Sequence, residues 1–313
     1  MWITVPANLL LCGEYVITGE GHLGVACAVD IRAKFTILKS DAFALEPLHP
    51  GSSGADDGLV EAVVRAFRNR FFISELPKVT VRADTSSFYH ADGSKIGLGS
   101  SAVAAVGIAS ALYYSCSNSM HFPVEVFYAA LEGHREFQGG GSGYDVAASF
   151  YGGLGLFKSG RLPGWDPIQS VVPAGLRLVP GEKPQSSMGA AKLFRQWMER
   201  EPELADRYCR FSDRVAAKFA RALELGTDPG AALHRARCPG QWLGEKIGVP
   251  AYPGALQEAL ESCRKQGCPG KASGAGGELG VAFVLENSYF FTMDSKLPGW
   301  GAAISPEGIQ WSQ

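Results

Sequence analysis

The stretch Lys95-Ile96-Gly97-Leu98-Gly99-Ser100-Ser101-Ala102 holds the residue types and spacing that can do chemistry. Glycines at 97 and 99 permit positive φ and the close approach of another group to the backbone. Two serines follow, then a run of small apolar residues from Val103 to Leu112. That run is helix-competent and apolar on nearly every face, and a serine before it is a good N-cap. A buried helix is therefore expected to start here, with N–H groups pointing out of a glycine turn. Such an end attracts phosphate through its amides and its dipole. A serine hydroxyl at the same place, Ser100 or Ser101, is of the oxygen type that Mg²⁺ takes. Lys95 places a cation next to the same turn. The plain alternative is a glycine turn that merely caps a core helix.

Two further glycine clusters carry charged residues. Gln138-Gly139-Gly140-Gly141-Ser142-Gly143-Tyr144-Asp145 fits neither a helix nor an ordinary hairpin, and it ends on an acid. That acid is Asp145, and the plain alternative is a turn aspartate after glycines. Lys271-Ala272-Ser273-Gly274-Ala275-Gly276-Gly277 precedes an apolar strand. Ser186-Ser187 reads first as a helix cap. Lys192 and Arg195, on the helix that follows, read as an exposed face. His22, His49, His90, His121 and His234 have no partner spacing and read as core or surface residues.

These groups need elements to position them. Ile3 to Cys12 reads as a strand, with Pro6 pointing to an edge or an irregular start. Val16-Ile17-Thr18 continues the β character, and Val25 to Leu38 is strand. Leu48 to Gly58 is a loop. Leu59 to Phe72 carries a helical apolar stripe. Val79 to Ala83 is a short strand, and a polar loop then leads to Lys95. Strand, loop, glycine turn and buried helix is the order a phosphate site requires. Pro123 to Phe137 is a helix with Pro in its first turn. Val146 to Tyr151 is short helix or strand, and Leu154 to Phe157 is strand. A soft boundary falls in the Gly- and Pro-rich segment 159–173, which divides the chain into domains 1–165 and 166–313. Beyond it come a strand at Leu176–Val179, a helix to about Arg200 and another over Glu203–Leu225. Helices follow at Pro229–Ile247, broken at Pro239-Gly240, and at Pro253–Gln266. Strands at Gly280–Leu285 and Tyr289–Met293 close the series. Mixed elements in both halves, without strict alternation, give an α+β class.

Composition excludes several functions. The 313 residues carry a net charge of −2, which gives no reason to expect nucleic acid or an anionic membrane as partner. Seven cysteines lie scattered without a Cys-x-x-Cys pair, as expected of reduced thiols in a cytoplasmic protein. No basic start is followed by a long apolar core, so no signal peptide is expected. The run from Ala102 to Tyr114 is too short to span a bilayer.

Taken together, three glycine-rich stretches in fixed order resemble the GHMP kinases. Val5-Pro6-Ala7-Asn8-Leu9-Leu10-Leu11-Cys12-Gly13-Glu14-Tyr15 is similar to their first motif. Gly97 to Ala102 is similar to their nucleotide phosphate loop, and Lys271 to Gly277 to their C-terminal glycine motif. The stretch His134 to Gly153, with Gly13-Glu14-Tyr15 and Lys95, most resembles the phosphomevalonate kinase family within them.

The resemblance implies a two-domain α+β GHMP kinase fold with the active site in the cleft between the domains. It implies ATP and Mg²⁺ as cofactors and a small-molecule acceptor, with no nucleic acid or membrane partner, in a monomer or homodimer. Gly97, Leu98, Gly99, Ser100, Ser101 and Ala102 would hold the nucleotide, with Ser101 at the metal. Asp145 and Lys95 would be catalytic. Glu14, Ser142, Gly143, Ser187, Gly274 and Ala275 would lie on the acceptor side. The implied reaction is phosphorylation of phosphomevalonate in isoprenoid synthesis. The alternatives are another GHMP acceptor such as mevalonate, a related decarboxylase, or a binder that transfers no phosphate.

The departures from the family concern positive charge. Asn8 stands where a lysine is expected, the lysine after Gln138-Gly139 is missing, and Glu278-Leu279 replaces Gly and Asp. Each lost cation removes a charge-stabilising donor worth several kcal/mol. The cations left are Lys95, Lys271, Arg135 and Lys192, with His134 behind them.

Overall fold

The computed structural model describes residues 1–47, 55–90, 93–170, 174–181, 187–249, 251–274, 276–277, 279–285 and 299–312. Among them are eight α-helices and eleven strands in two sheets, an α+β architecture. Contacts group the chain into two compact units. The first holds residues 1–8, 28–152 and 305–313; the second holds 9–27 and 153–304. The strands β1 (Trp2–Cys12) and β2 (Leu23–Lys39) each give one end to each unit.

In the first unit, β2 pairs antiparallel with β4 (Val79–Asp84), and β3 (Ala44–Pro47) lies parallel to β4 at the edge. Four helices belong to this unit: α1 (Ala55–Phe71), α2 (Ser100–Ser117), α3 (Val124–Gln138) and α4 (Tyr144–Tyr151). Helix α2 is the buried one, and α3 and α4 pack against it. Its small residues serve close packing. A Cβ on Gly107 would lie 2.2 Å from the Phe35 ring, so that ring from β2 seats directly on the helix backbone. Val103, Ile108 and Leu112 are sealed from solvent on the same helix, each worth about 1.5–3 kcal/mol of burial.

The second unit contains β5 (Leu154–Lys158), paired with the first residues of β2 and with β6 (Gly164–Pro167). It also contains an antiparallel sheet of β7 (Ala174–Pro180), β8 (Gly270–Ala272), β9 (Leu279–Leu285) and β10 (Trp300–Ala303), in the order β10-β7-β9-β8. Its helices are α5 (Ser187–Arg200), α6 (Pro202–Leu225), α7 (Pro229–Ile247) and α8 (Gly254–Lys265). Helix α8 covers β7, β8 and β9. Helices α5, α6 and α7 gather Phe194, Trp197, Cys209, Leu243 and Ile247 into a core that also takes Tyr15 and Val16. The last strand, β11 (Gln310–Ser312), returns to the first unit and pairs with Trp2–Thr4.

Four expectations are corrected. Val16-Ile17-Thr18 is a 3₁₀ turn, because Tyr15 takes φ 64° and Ile17 bonds back to Gly13; packing into the aromatic core overrides β propensity. The loop expected up to Gly58 gives way to α1 at Ala55, while Pro6 has the irregular place expected of it, since β11 flanks β1 only as far as Thr4. Pro239 does not break α7; burial of Leu233, Leu243 and Ile247 on that helix outweighs the lost bond. Pro123 and Pro253 are N-caps, one position ahead of their helices. The strand expected at Tyr289–Met293 lies outside the described residues.

A candidate phosphate-transfer site

The glycine turn leads into α2 as its spacing requires, with one change in role. Gly99, not a serine, is the N-cap, at φ 72°, and Gly97 is at φ 88°. Ser100 and Ser101 are therefore the first two helical residues. No side chain caps the helix, and helix geometry leaves the first-turn N–H groups without intrahelical acceptors. Those amides remain available to an anion. Leu98 is buried and its carbonyl accepts from Asn8 N at 3.3 Å.

Asn8 shows what stands in place of the expected lysine. It is 3% exposed, and its side-chain amide donates to Ser149 Oγ at 3.0 Å; Ser149 in turn donates to the Pro6 carbonyl. A Cβ on Gly99 would lie 2.4 Å from the Asn8 amide. Asn8 thus ties β1, the glycine turn and α4 together, and it brings no charge. Lys95 is exposed, and its ammonium has no partner among the described residues; its backbone forms a bridge with Tyr89.

Asp145 sits in the first turn of α4, behind the N-cap Gly143 at φ 88°. Gly143 is needed there for contact as well as conformation, since a Cβ would meet Leu131 Cδ1 at 2.2 Å. The Arg135 guanidinium holds the preceding loop by donating to the Gly141 and Ser142 carbonyls at 3.0 and 2.7 Å. Burial pulls the Arg135 pKa below its ordinary value, with Asp145 and Glu132 acting against that. Arg135 is thus engaged with its own loop.

His134 joins the turn to the acid. It is 2% exposed on α3, and its Nε2 lies 3.1 Å from Ser101 Oγ and 3.9 Å from Asp145 Oδ2. Gln138 Nε2 donates to the same Ser101 Oγ at 3.3 Å. Ser, His and Asp do not form a nucleophile triad here. A triad needs the acid on one ring nitrogen and the serine on the other, whereas a single nitrogen faces both. His134 stands behind the other cations in the sequence, because its separation of 33 positions from Ser101 carries no local signal.

The Mg²⁺ implied by the resemblance fits this donor set. Ser101 Oγ and the Asp145 carboxylate offer oxygens, and no cluster of three His, Cys, Asp or Glu forms a cage among the described residues. Mg²⁺ is usually held by one or two protein oxygens plus substrate phosphates.

The second unit holds the remaining candidates. Glu14 forms an ion pair with Lys271, whose ammonium also donates to the Ala272 carbonyl at 2.7 Å. Lys271 is 1% exposed, so this cation is committed to Glu14. Glu14, Cys12 and Tyr208 line a small pocket together with Ser212 and Pro239. Burial, then the Glu14 charge, pushes the Cys12 thiol up to about 12 and Tyr208 higher still. In the glycine motif, Ser273 Oγ donates to the Leu10 carbonyl at 3.0 Å and Gly277 N to Ala251 O at 3.1 Å. Gly274, at φ 61°, has open space where a Cβ would stand. Ser187 begins α5; Ser186, Ala275 and Glu278 lie outside the described residues. Lys192 and Arg195 are exposed, as expected.

The chain is similar to known proteins in sequence and in fold. Residues 58–153 match the family described as GHMP kinases N terminal domain. The chain is 26% identical to a phosphomevalonate kinase of Streptomyces sp. (strain CL190), over 89% of this chain and 88% of that protein. It is also 26% identical to a mevalonate kinase of Archaeoglobus fulgidus, over 88% and 89% of the two chains. In fold it is similar to Streptococcus pneumoniae phosphomevalonate kinase solved with phosphomevalonate and AMPPNP. That match has a TM-score of 0.75 at 18% identity and covers 91% of this chain and 92% of the other.

Proposed function

We propose that this chain, whose residues 58–153 match the GHMP kinase N-terminal domain and whose fold is similar to that of a solved phosphomevalonate kinase, is an ATP- and Mg²⁺-dependent kinase of the mevalonate pathway, acting on phosphomevalonate. The observation that carries the proposal is the meeting of the uncapped Gly97–Ala102 turn with Asp145 through His134. The amides of that turn bind the ATP phosphates. Ser101 and Asp145 present oxygens to the metal, which neutralises phosphate charge when bound. Lys95, two residues ahead of the turn and without an ion-pair partner among the described residues, adds positive charge to a chain in which two lysines of the family pattern are missing.

The acceptor chemistry sets the role of Asp145. Phosphoryl transfer needs positioning and charge neutralisation more than covalent help. A phosphate monoester is already ionised near neutral pH, its second pKa being about 6. Asp145 then serves the metal rather than a proton. Glu14, Ser142, Gly143, Ser187, Gly274 and Ala275 are proposed on the acceptor side, with Arg135 fixing the Ser142 backbone. A mevalonate acceptor is the second reading, favoured by the likeness to the Archaeoglobus enzyme; there Asp145 would orient or deprotonate the alcohol.

ADP release with ATP and Mg²⁺, supplied in parallel with phosphomevalonate, mevalonate or no acceptor, tests the proposal. Turnover only with phosphomevalonate is expected. Turnover only with mevalonate moves the assignment to the second reading. None with either, in protein that binds ATP, sinks both.

A further inference from the structure

Ser101 Oγ is held from two sides. Gln138 Nε2 donates to it at 3.3 Å, and His134 Nε2 lies 3.1 Å away. A serine hydroxyl has one proton and two lone pairs. Gln138 occupies one lone pair. Two arrangements remain for the contact with His134. An N–H at Nε2 would donate to Ser101 and fill the second lone pair, leaving nothing for a cation. An unprotonated Nε2 would accept the Ser101 proton and leave that lone pair open. Only the second arrangement serves a metal ligand. The same Nε2 is 3.9 Å from Asp145 Oδ2, too far for a hydrogen bond, so the carboxylate is not drawn off by the ring.

We propose that His134 is a positioning residue: its Nε2 accepts the Ser101 proton and aims the hydroxyl's free lone pair, beside Asp145, at the metal bound to the nucleotide. The inference rests on the kinase reading above and extends it to a residue on α3 that touches no substrate. Residues behind a metal ligand orient it, and their loss typically weakens metal affinity by about 10- to 100-fold. His134 is nearly sealed from solvent, which holds the ring in place.

The test is calorimetric titration of ATP into the whole protein, with Mg²⁺ and with EDTA, without acceptor. The ratio of the two affinities isolates the metal's contribution. The expected result for H134L is a roughly tenfold fall in that ratio, with metal-free affinity unchanged. H134Q keeps an acceptor oxygen within reach of Ser101 and recovers most of the ratio. S101A produces the same fall, and adding H134L to it produces no more. Should H134L not fold, H134N replaces it, because its shorter amide does not reach Ser101. An unchanged ratio in the leucine or asparagine variant overturns the proposal. So does an equal loss in H134Q, or a metal-free affinity that falls as far as the metal-loaded one. Wild-type protein that binds ATP without any gain from Mg²⁺ overturns it while nucleotide binding stands. Wild-type protein that binds no ATP at all overturns the kinase reading and this one with it.

Discussion

Lys271→Met is expected to unfold the second unit far more readily while leaving side-chain volume almost intact. The Lys271 side chain is 2% exposed and that of its partner Glu14 is 13% exposed. Both charges have been taken out of water, and each is tolerated because of the other. Methionine keeps the length of the stem, so the packing loss is below about 1.5 kcal/mol. What remains is a mostly buried carboxylate without its cation, and breaking such a pair costs about 3–5 kcal/mol. Against a total stability of about 5–15 kcal/mol, that is a large fraction. Glu14→Gln strands the ammonium and is expected to cost a similar amount. The double variant removes both charges, and replacing a buried pair outright is often neutral. Its loss should therefore be smaller than the sum of the single losses by at least about 2 kcal/mol. Urea unfolding followed by tryptophan fluorescence reads this directly. Trp197 is in the core that holds Tyr15, next to Glu14, and Trp242 packs against that core. A Lys271→Met protein within about 1 kcal/mol of wild type, or strictly additive losses, refutes the reasoning. Either result would mean that the pair is solvated.

Three further outcomes are expected. Gly99→Ala combines a left-handed backbone, costing about 1–2 kcal/mol, with a Cβ 2.4 Å from the buried Asn8 amide. It should lose about 3 kcal/mol of stability and most ATP binding by titration; normal binding would contradict the close packing. Lys95→Met removes an exposed cation that has no ion-pair partner among the described residues. Melting should shift by no more than about 0.5 kcal/mol while kcat falls by about 100-fold; an unchanged kcat removes Lys95 from the mechanism. The third concerns alkaline pH. Burial raises Cys12 to about 12 and also raises Cys27, from an unfolded value of about 8.5. The folded state binds these protons more tightly, so their contribution is complete below pH about 8.5. It is lost as pH rises towards 12, by about 2 kcal/mol per thiol at pH 10. Urea midpoints that rise between pH 8 and 10 would contradict this.

Much of the site was legible because its signals are local. The Gly97–Ser101 spacing specifies its own turn and the start of α2, and Gly143 specifies the approach to Asp145. Only the cap was misread, since a glycine in the left-handed region displaced serine from that position. Contacts between distant residues carried no such signal. His134 meets Ser101 across 33 positions and Lys271 meets Glu14 across 257, and neither partner's neighbours reveal the pairing. Lys271 was a candidate cation in the sequence and is a committed ion-pair partner in the fold. The strands β10 and β11, of four and three residues, are too short to show alternation. The turn at Val16–Thr18 looks like strand because its residues are β-branched, yet Val16 and Ile17 are buried as part of a turn, Val16 in the aromatic core of the second unit.

The most direct measurement is a ³¹P NMR spectrum of the protein with ATP, Mg²⁺ and phosphomevalonate. The expected product gives two mutually coupled phosphorus resonances from a new P–O–P linkage, appearing in step with ADP. A spectrum in which the acceptor keeps its single uncoupled ester resonance, while ATP stays intact or yields only inorganic phosphate, contradicts the account.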